Sequence, residues 1–429
     1  MDILINIVNA ILNVGPTAIL PISITIIGLI FGTGFKKAFK SGITIGIGFV
    51  GVSLIIGLLD SFLAPAAQGM IDNFGLELNV IDAGWPAAAA AAFAMPIAPL
   101  LIPIILLVNI ALIFFKVTKT LNVDIWNFWH MIAAGSTGYI VTNGNIWFAV
   151  LITIIYEAIV LLIADWTQPY VEKFFGLEGL TFPTGSPTSF GLIGIPIAWA
   201  VGKIPGIGNL NADSETIQEK FGIFGEPMMI GLILGTVVGL LGYGFGIDEV
   251  LQAFQVGISM GAVMLLMPRM VKIFMEGLIP ISDAASKWMK KRFPGRELFI
   301  GVDAALAVGH PGVLSTSLVL VPITILIAVL LPGNAVLPFG DLVGITFFIV
   351  FVVAASKGNL VQSIITGTIM MVLVLWMATS FAPVHTEMMQ GTGFTATEGA
   401  NQITSLTTGG SPLNYLLYLL SEFAAPFVN

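Results

Sequence analysis

Cysteine is absent from the 429 residues, and histidine occurs only three times. The first absence removes disulfides, thiolate metal sites and any covalent intermediate carried on cysteine. Charge is scarce too: Asp, Glu, Lys and Arg make up 9% of the chain, against about a quarter in ordinary soluble domains. Hydrophobic residues make up 57%, so the composition excludes a soluble globule and nucleic acid as a partner, and predicts an all-α polytopic membrane protein. A bilayer core of about 30 Å takes about 20 apolar residues per helix. Runs of that length recur from end to end, and no soluble catalytic domain fits between them. The net charge of −8 says little, because the placement of Lys and Arg matters more than their sum. No cleavable signal is expected, since Asp2 precedes the first apolar run and the first lysine is Lys36. The 48 glycines are spread along the chain. They fit close helix packing rather than a phosphate loop, which would need a preceding strand. No metal set and no cofactor motif is apparent.

Against this background the stretch GVDAALAVGHPGV, Gly301 to Val313, stands out. It places Asp303 and His310 between two apolar runs. An ionisable group at such depth costs at least about 2.5 to 3.5 kcal/mol and normally faces a protein cavity. His310-Pro311-Gly312 breaks a helix there, and the backbone groups it frees are tolerable only beside protein or a water-filled cavity. The pairing predicts a binding site for a hydrophilic solute.

The chain also repeats. AFKSGITIG (Ala38 to Gly46) matches AFQVGISMG (Ala253 to Gly261) at five of nine positions. Pro65 and Pro280 keep the same spacing, and Gly144-Asn145 with Gly358-Asn359, and Pro169 with Pro383, keep it to within one residue. Charge reverses between the copies. Lys36, Lys37 and Lys40 precede the first apolar helix of the pair, whereas Lys287, Lys290, Lys291, Arg292 and Arg296 follow the second in a basic loop. With basic residues held on the cytoplasmic side, the halves are predicted to be inverted, five crossings each: 11–31, 41–63, 97–115, 125–141 and 144–165, then 228–247, 253–276, 314–332, 341–355 and 359–381. A final run at 413–428 makes about eleven, with the N-terminus outside and the C-terminus cytoplasmic. The implied divisions are 1–220, 221–410 and a C-terminal helix at 411–429. Asp82 to Met95 and Gly301 to Val313 are too short to span and are read as matched re-entrant hairpins. Inverted repeats broken near the midplane belong to alternating-access carriers, which bind solute where the repeats meet.

The polar residues predicted near those breaks are Asp82, Trp85, His130, Ser186, Glu226, Asp303, His310 and Asp341. Carboxylates, imidazoles and hydroxyls are the directional partners that a neutral polyhydroxylated solute needs. Two of them have plainer alternatives: His130 as an interfacial histidine beside Trp126 and Trp129, and Glu226 as the start of a helix opened by Pro227.

Three stretches also carry a family resemblance. GIFGEPMMIG, GVDAALAVGHPGV followed by LVPITILIAVLLPGN, and the run His385 to Met389 resemble the galactitol-family membrane subunit, enzyme IIC, of the phosphoenolpyruvate-dependent phosphotransferase system. More distantly, the chain is similar to the ascorbate-specific enzyme IIC. That relative implies an elevator-type fold with eleven transmembrane helices, a dimerising scaffold domain and a moving core domain, each mixing both repeats. It also implies solute contacts from Asp82 to Trp85, His130, the Gly185-Ser186 step and Asp303. Ser186 stands where the ascorbate family has a second histidine, which points to a different ligand.

The function expected from the resemblance is uptake of a sugar alcohol, most simply galactitol, by a homodimer in lipid of the bacterial inner membrane. IIA and IIB proteins would be the partners. The phosphoryl donor would be a cysteine on IIB, not a residue of this cysteine-free chain. An ion-coupled secondary transporter using Asp303 or His310 is the reading from a different class, and a non-transporting scaffold is disfavoured by the buried charges.

Overall fold

A computed structural model describes residues 21–22, 25–26, 28–74, 80–82, 84–122, 124–207, 227–292, 298–338, 341–342, 344–390 and 402–428. In chain order these form α1 (Phe35–Phe74), β1 (Val80–Asp82), α2 (Gly84–Ala94), α3 (Ala98–Phe114), β2 (Thr120–Asn122), α4 (Phe128–Val141), α5 (Ile146–Lys173), β3 (Leu180–Thr181) and α6 (Gly185–Gly202). Then follow α7 (Pro227–Tyr243), α8 (Ile247–Arg292), β4 (Phe299–Gly301), α9 (Ala305–Val308), α10 (Pro311–Leu330), β5 (Val336–Leu337), α11 (Ile345–Phe348), α12 (Val350–Ala355), α13 (Leu360–Gln390), β6 (Gln402–Thr404) and α14 (Pro412–Val428). Among the described residues, α5, α10 and α13 are long and apolar enough to cross a membrane by length and composition.

Helices α1, α7 and α8 pack on one another. Gly231, Gly235 and Gly239 recur every fourth residue on α7 and so share one face. A Cβ at Gly235 would lie 2.9 Å from the Cα of Gly257 on α8, and one at Gly239 would lie 2.5 Å from the Cα of Ala253. Backbones can meet this closely only where side chains are missing. Ile233, Val237 and Leu241 project from α7 away from this seam and are exposed, as residues facing lipid would be. Helices α2 to α6 and α9 to α14, with the short strands, form the rest of the described structure, and many of its Ser, Thr and Asp side chains are buried.

Two small parallel sheets lie within it. In one, β1 runs between β5 and β6; in the other, β4 runs between β2 and β3. Each middle strand therefore comes from one half of the sequence and both of its neighbours from the other half. The register aligns Val80 with Val336 and Gln402, and Ile300 with Leu121 and Leu180. Strands of two or three residues are too short to show a period-2 pattern, and the sheets were not legible in the sequence. Their edges are closed by side chains. Asn109 of α3 accepts from the Asn122 N–H (3.0 Å) and donates to the Thr120 carbonyl (2.9 Å), standing in for a further strand beside β2. Beside β6, the Thr386 hydroxyl accepts from the Ile403 N–H at 2.9 Å while donating to the Ala382 carbonyl of its own helix at 2.7 Å.

Several sequence expectations change. The basic segment from Lys287 is not a loop: α8 continues to Arg292, because Lys and Arg propagate a helix well beyond its apolar run. Residues 293–297 lie outside the described residues, as does most of the first predicted crossing. The crossing expected at 341–355 is interrupted; Asp341 lies in a turn, and two short helices, α11 and α12, divide at Ile349. The segments from Asp82 and from Gly301 do break as expected: α2 ends at Ala94 before α3 begins, and α9 ends at Val308 before α10.

Two turns share one construction. Asn143 and Gly144 (φ 49° and 94°) precede α5, and Lys357 and Gly358 (φ 53° and 80°) precede α13. In each an asparagine then caps the helix, Asn145 accepting from the Phe148 N–H and Asn359 from the Gln362 N–H, both at 3.0 Å. Replacing either asparagine with alanine should lower unfolding stability by about 1 kcal/mol, and Asn→Asp should preserve it. Thermal unfolding in detergent measures this; an unchanged midpoint in both alanine variants would contradict the capping role.

Candidate functional site

The ends of the two sheets gather most of the predicted polar residues into two clusters. Asp82 ends β1 and Asp341 follows β5, and both are buried. Asp82 Oδ2 accepts from the Asp341 N–H at 2.7 Å, while Oδ1 accepts from Gly84 (3.1 Å) and Leu406 (3.3 Å). Asp341 Oδ1 accepts from the Trp85 N–H at 2.7 Å, and its Oδ2 takes the Ser405 hydroxyl at 2.6 Å and the Thr407 N–H at 2.8 Å. Every oxygen of this pair thus has a protein donor. The two side chains stitch residues 82–85, 341 and 405–407 together, which is what a buried carboxylate must do when water is absent.

The second sheet ends differently. Asp303, two residues beyond β4 and 6% exposed, accepts from the Ala305 N–H through Oδ1 at 2.7 Å. Its second oxygen remains for another donor. Asp124 follows β2, accepts from the Trp126 N–H at 3.1 Å, and is the electrostatic neighbour of Asp303. Two carboxylates that feel each other's charge in a medium of low dielectric repel unless donors are placed on them, and this end of the sheet has acceptor capacity to spare.

His130 lies on α4 beside them. Its Nδ1 is 3.3 Å from the Asn127 carbonyl and its Nε2 is 3.0 Å from Ser186 Oγ. A carbonyl only accepts, which assigns the ring proton to Nδ1 and makes Ser186 the donor to Nε2. The serine oxygen keeps lone pairs for an incoming hydroxyl. Trp129 stacks on the imidazole, with ring centroids 3.7 Å apart. Gly185 also presses against His130: a Cβ there would lie 2.5 Å from His130 Cβ and Cγ. The plainer reading of His130 as an interfacial residue does not fit its 5% exposure.

Trp85 and Trp126 connect the clusters, meeting edge to face at 6.1 Å. One follows Asp82 and the other follows Asp124. His310 stands to the side. Its Nδ1 accepts from the Gly312 N–H at 3.1 Å and caps α10, and its ring lies against Phe174 and Phe175 at 4.7 and 5.6 Å. Glu226 lies outside the described residues. The structure therefore joins His130, Ser186 and Asp303 at one sheet, and Asp82, Trp85 and Asp341 at the other.

Sequence reading missed Asp124, Asn127 and Thr184. Thr184 donates to Asn127 Oδ1 at 2.9 Å and accepts from the Ala304 N–H at 3.1 Å, linking His130's helix to the turn of Asp303. A signal was present: Asp124, Asn127 and His130 are spaced by three in DIWNFWH.

An apolar helical body around a buried polar centre fits a membrane permease for a polar solute. Comparison with known proteins specifies which. The profile of the EIIC-GAT family, described as PTS system sugar-specific permease component, matches residues 10–399. The PTS system galactitol-specific EIIC component of Escherichia coli K12 is 42% identical over 407 residues, covering 95% of this chain and 89% of that protein. A putative permease IIC component of the same strain is 40% identical over 400 residues, covering 93% and 90%. The chain belongs to the EIIC-GAT family of phosphotransferase-system sugar permease components.

The packing of Gly185 makes a direct test of the His130 geometry. Gly185→Ala should overpack the site by about 1 to 3 kcal/mol and push the imidazole from Ser186. Solute affinity, read by calorimetry on purified protein, should fall at least about tenfold; wild-type affinity would mean that His130 is not held by this contact.

Proposed function

We propose that this protein is the membrane-embedded translocating subunit for a sugar alcohol, most simply galactitol, and that uptake is coupled to phosphorylation of the solute by a IIB partner charged through IIA. The observation that carries this reading is the 42% identity to a galactitol-specific EIIC component along 95% of the chain. The second cluster supports it chemically. Asp303 and Asp124 accept from solute hydroxyls, Ser186 accepts while its own proton is turned to His130, and the Trp85–Trp126 pair offers an apolar wall to the carbon chain. Asp82 and Asp341 then act on the solute only indirectly, by holding Trp85 in place.

The translocation is of the elevator type, with the two halves of the chain arranged as inverted five-helix repeats and a C-terminal helix. The exchange of strands between halves in the two sheets, and the matched turns at Asn143 and Lys357, support that arrangement. Helices α1, α7 and α8 supply the scaffold of a homodimer in the bacterial inner membrane, and the remaining helices form the carrier core. The N-terminus lies outside and the C-terminus in the cytoplasm.

The electrostatic interaction of Asp124 with Asp303 also favours a second reading, an ion-coupled carrier. Asp303→Asn separates the two. Loss of one charge-assisted hydrogen bond, about 1.5 to 3 kcal/mol, should weaken galactitol binding by about tenfold to a hundredfold at every pH. Uptake into vesicles loaded with phosphorylated IIB should fall with it. Unchanged affinity would remove Asp303 from the site, and exchange that survives with its pH dependence lost would establish the ion-coupled carrier instead.

Single cysteines introduced into this cysteine-free chain test the orientation. Positions 36 and 287 should both resist an impermeant thiol reagent added outside intact cells and react in inverted vesicles. Labelling of both from outside would overturn the assigned orientation.

A further inference from the structure

Three helices follow the strands of the second sheet, and the residues at their cap positions are Asn127 before α4, Thr184 before α6 and Ala304 before α9. Asparagine or threonine at such a position ordinarily turns its side chain back and accepts from an N–H of the first turn. Elsewhere in this chain that is what happens: Asn145 accepts from the Phe148 N–H, Asn359 from the Gln362 N–H and His310 from the Gly312 N–H. Asn127 and Thr184 do not cap their own helices. Pro187, the third residue of α6, offers no N–H to such a cap. The Thr184 side chain instead joins the other two cap positions: its hydroxyl accepts from the Ala304 N–H at 3.1 Å and donates to Asn127 Oδ1 at 2.9 Å. Thr184 and Asn127 are both buried.

The direction of these bonds follows from the donor that cannot be reversed. A backbone N–H only donates, so Ala304 takes a lone pair of the hydroxyl, whose single proton then goes to Asn127. One oxygen thereby binds the starts of three helices, and each start carries a residue of the second cluster. Asp303 adjoins Ala304, Ser186 lies just beyond Thr184, and His130 lies one turn beyond Asn127, whose carbonyl accepts from its Nδ1. The other hydrogen bonds of the Asp303 turn are local: Asp303 accepts from the Ala305 N–H, and the Ala307 N–H donates back to the Ala304 carbonyl. Among the described residues, the Thr184 hydroxyl therefore ties this turn, from the second half of the chain, to the helices of His130 and Ser186, from the first. Two helices forgo their side-chain caps for this bridge, and what it aligns is the group that faces the solute.

We propose that Thr184 is a positioning residue: by bridging Asn127 and Ala304 it holds His130, Ser186 and Asp303 in one geometry for the solute, its own hydroxyl being committed to the protein. That the solute is a sugar alcohol rests on the function proposed above; the bridge does not.

Thr184→Val removes the hydroxyl and keeps the branched shape, whereas Thr184→Ser keeps the hydroxyl. Calorimetry on the purified full-length protein should show galactitol affinity lowered at least about tenfold in the valine variant and within about threefold of wild type in the serine variant. Asn145→Ala, which loses the cap of α5 and shares no hydrogen bond with these residues, is the control for stability: it should lower the unfolding midpoint and leave affinity within about threefold of wild type. Hydrogen–deuterium exchange without solute reads the bridge itself, in peptides covering 125–131 and 302–310. Thr184→Val should accelerate both segments at least about tenfold, and Thr184→Ser neither. Faster exchange confined to one of the two segments would overturn the proposal, as would wild-type galactitol affinity in the valine variant or a loss of affinity that Asn145→Ala reproduces. If Thr184→Val does not fold, Asn127→Ala, which removes the acceptor of the same hydroxyl, replaces it with the same expectations, and Asn127→Asp is its conservative partner. Failure of wild-type protein to bind galactitol would instead count against the proposed function, and exchange in the two segments would still decide the role of Thr184.

Discussion

Backbone polar groups in an apolar surround must find partners inside the protein, and the rest of this structure depends on how its broken segments meet that demand. Helices satisfy themselves. The extended stretches at 80–82, 120–122, 180–181, 299–301, 336–337 and 402–404 cannot, and they pair with one another across the two halves of the chain. Where the strands run out, aspartates take over. Asp82, Asp124 and Asp303 each accept from the N–H two residues ahead, so the chain turns from strand to helix without leaving that donor orphaned. Carboxylates are therefore in the interior first because the backbone requires acceptors there.

That requirement then divides the aspartates by role. Around Asp82 and Asp341 the protein supplies donors to every oxygen, which yields rigidity and little capacity for a ligand. Around Asp303 it supplies one, and the neighbouring Asp124 adds a second acidic group. Ser186 and His130 arrive from two further helices and spend one hydrogen bond on each other. The imbalance of acceptors over donors is what a polyol would correct. Trp85, tied to Asp341 through its backbone and to Trp126 through its ring, makes the rigid cluster a support for the receptive one.

Much of this was legible in the sequence, and for physical reasons. Membrane character followed from composition, and the breaks at Asp82 and Asp303 followed from charge and Pro-Gly chemistry within apolar runs. The strands were not legible, because three residues carry no periodicity. The helical extension to Arg292 was missed because hydropathy marks where lipid ends, which is not where a helix must end. His310, expected among the solute ligands, also caps α10, a role that only the Gly312 contact reveals. Thr184 escaped notice because its significance lies in which atom faces which, and spacing alone does not carry that. Glu226 falls outside the described residues.

The account rests on the second cluster being where solute is held. An experimental structure with galactitol bound measures this most directly. The account predicts solute hydroxyls within about 2.6 to 3.2 Å of Asp303 and Ser186, beside His130 and the Trp85–Trp126 pair. Galactitol seated elsewhere, with Asp303 and Ser186 untouched, would contradict it.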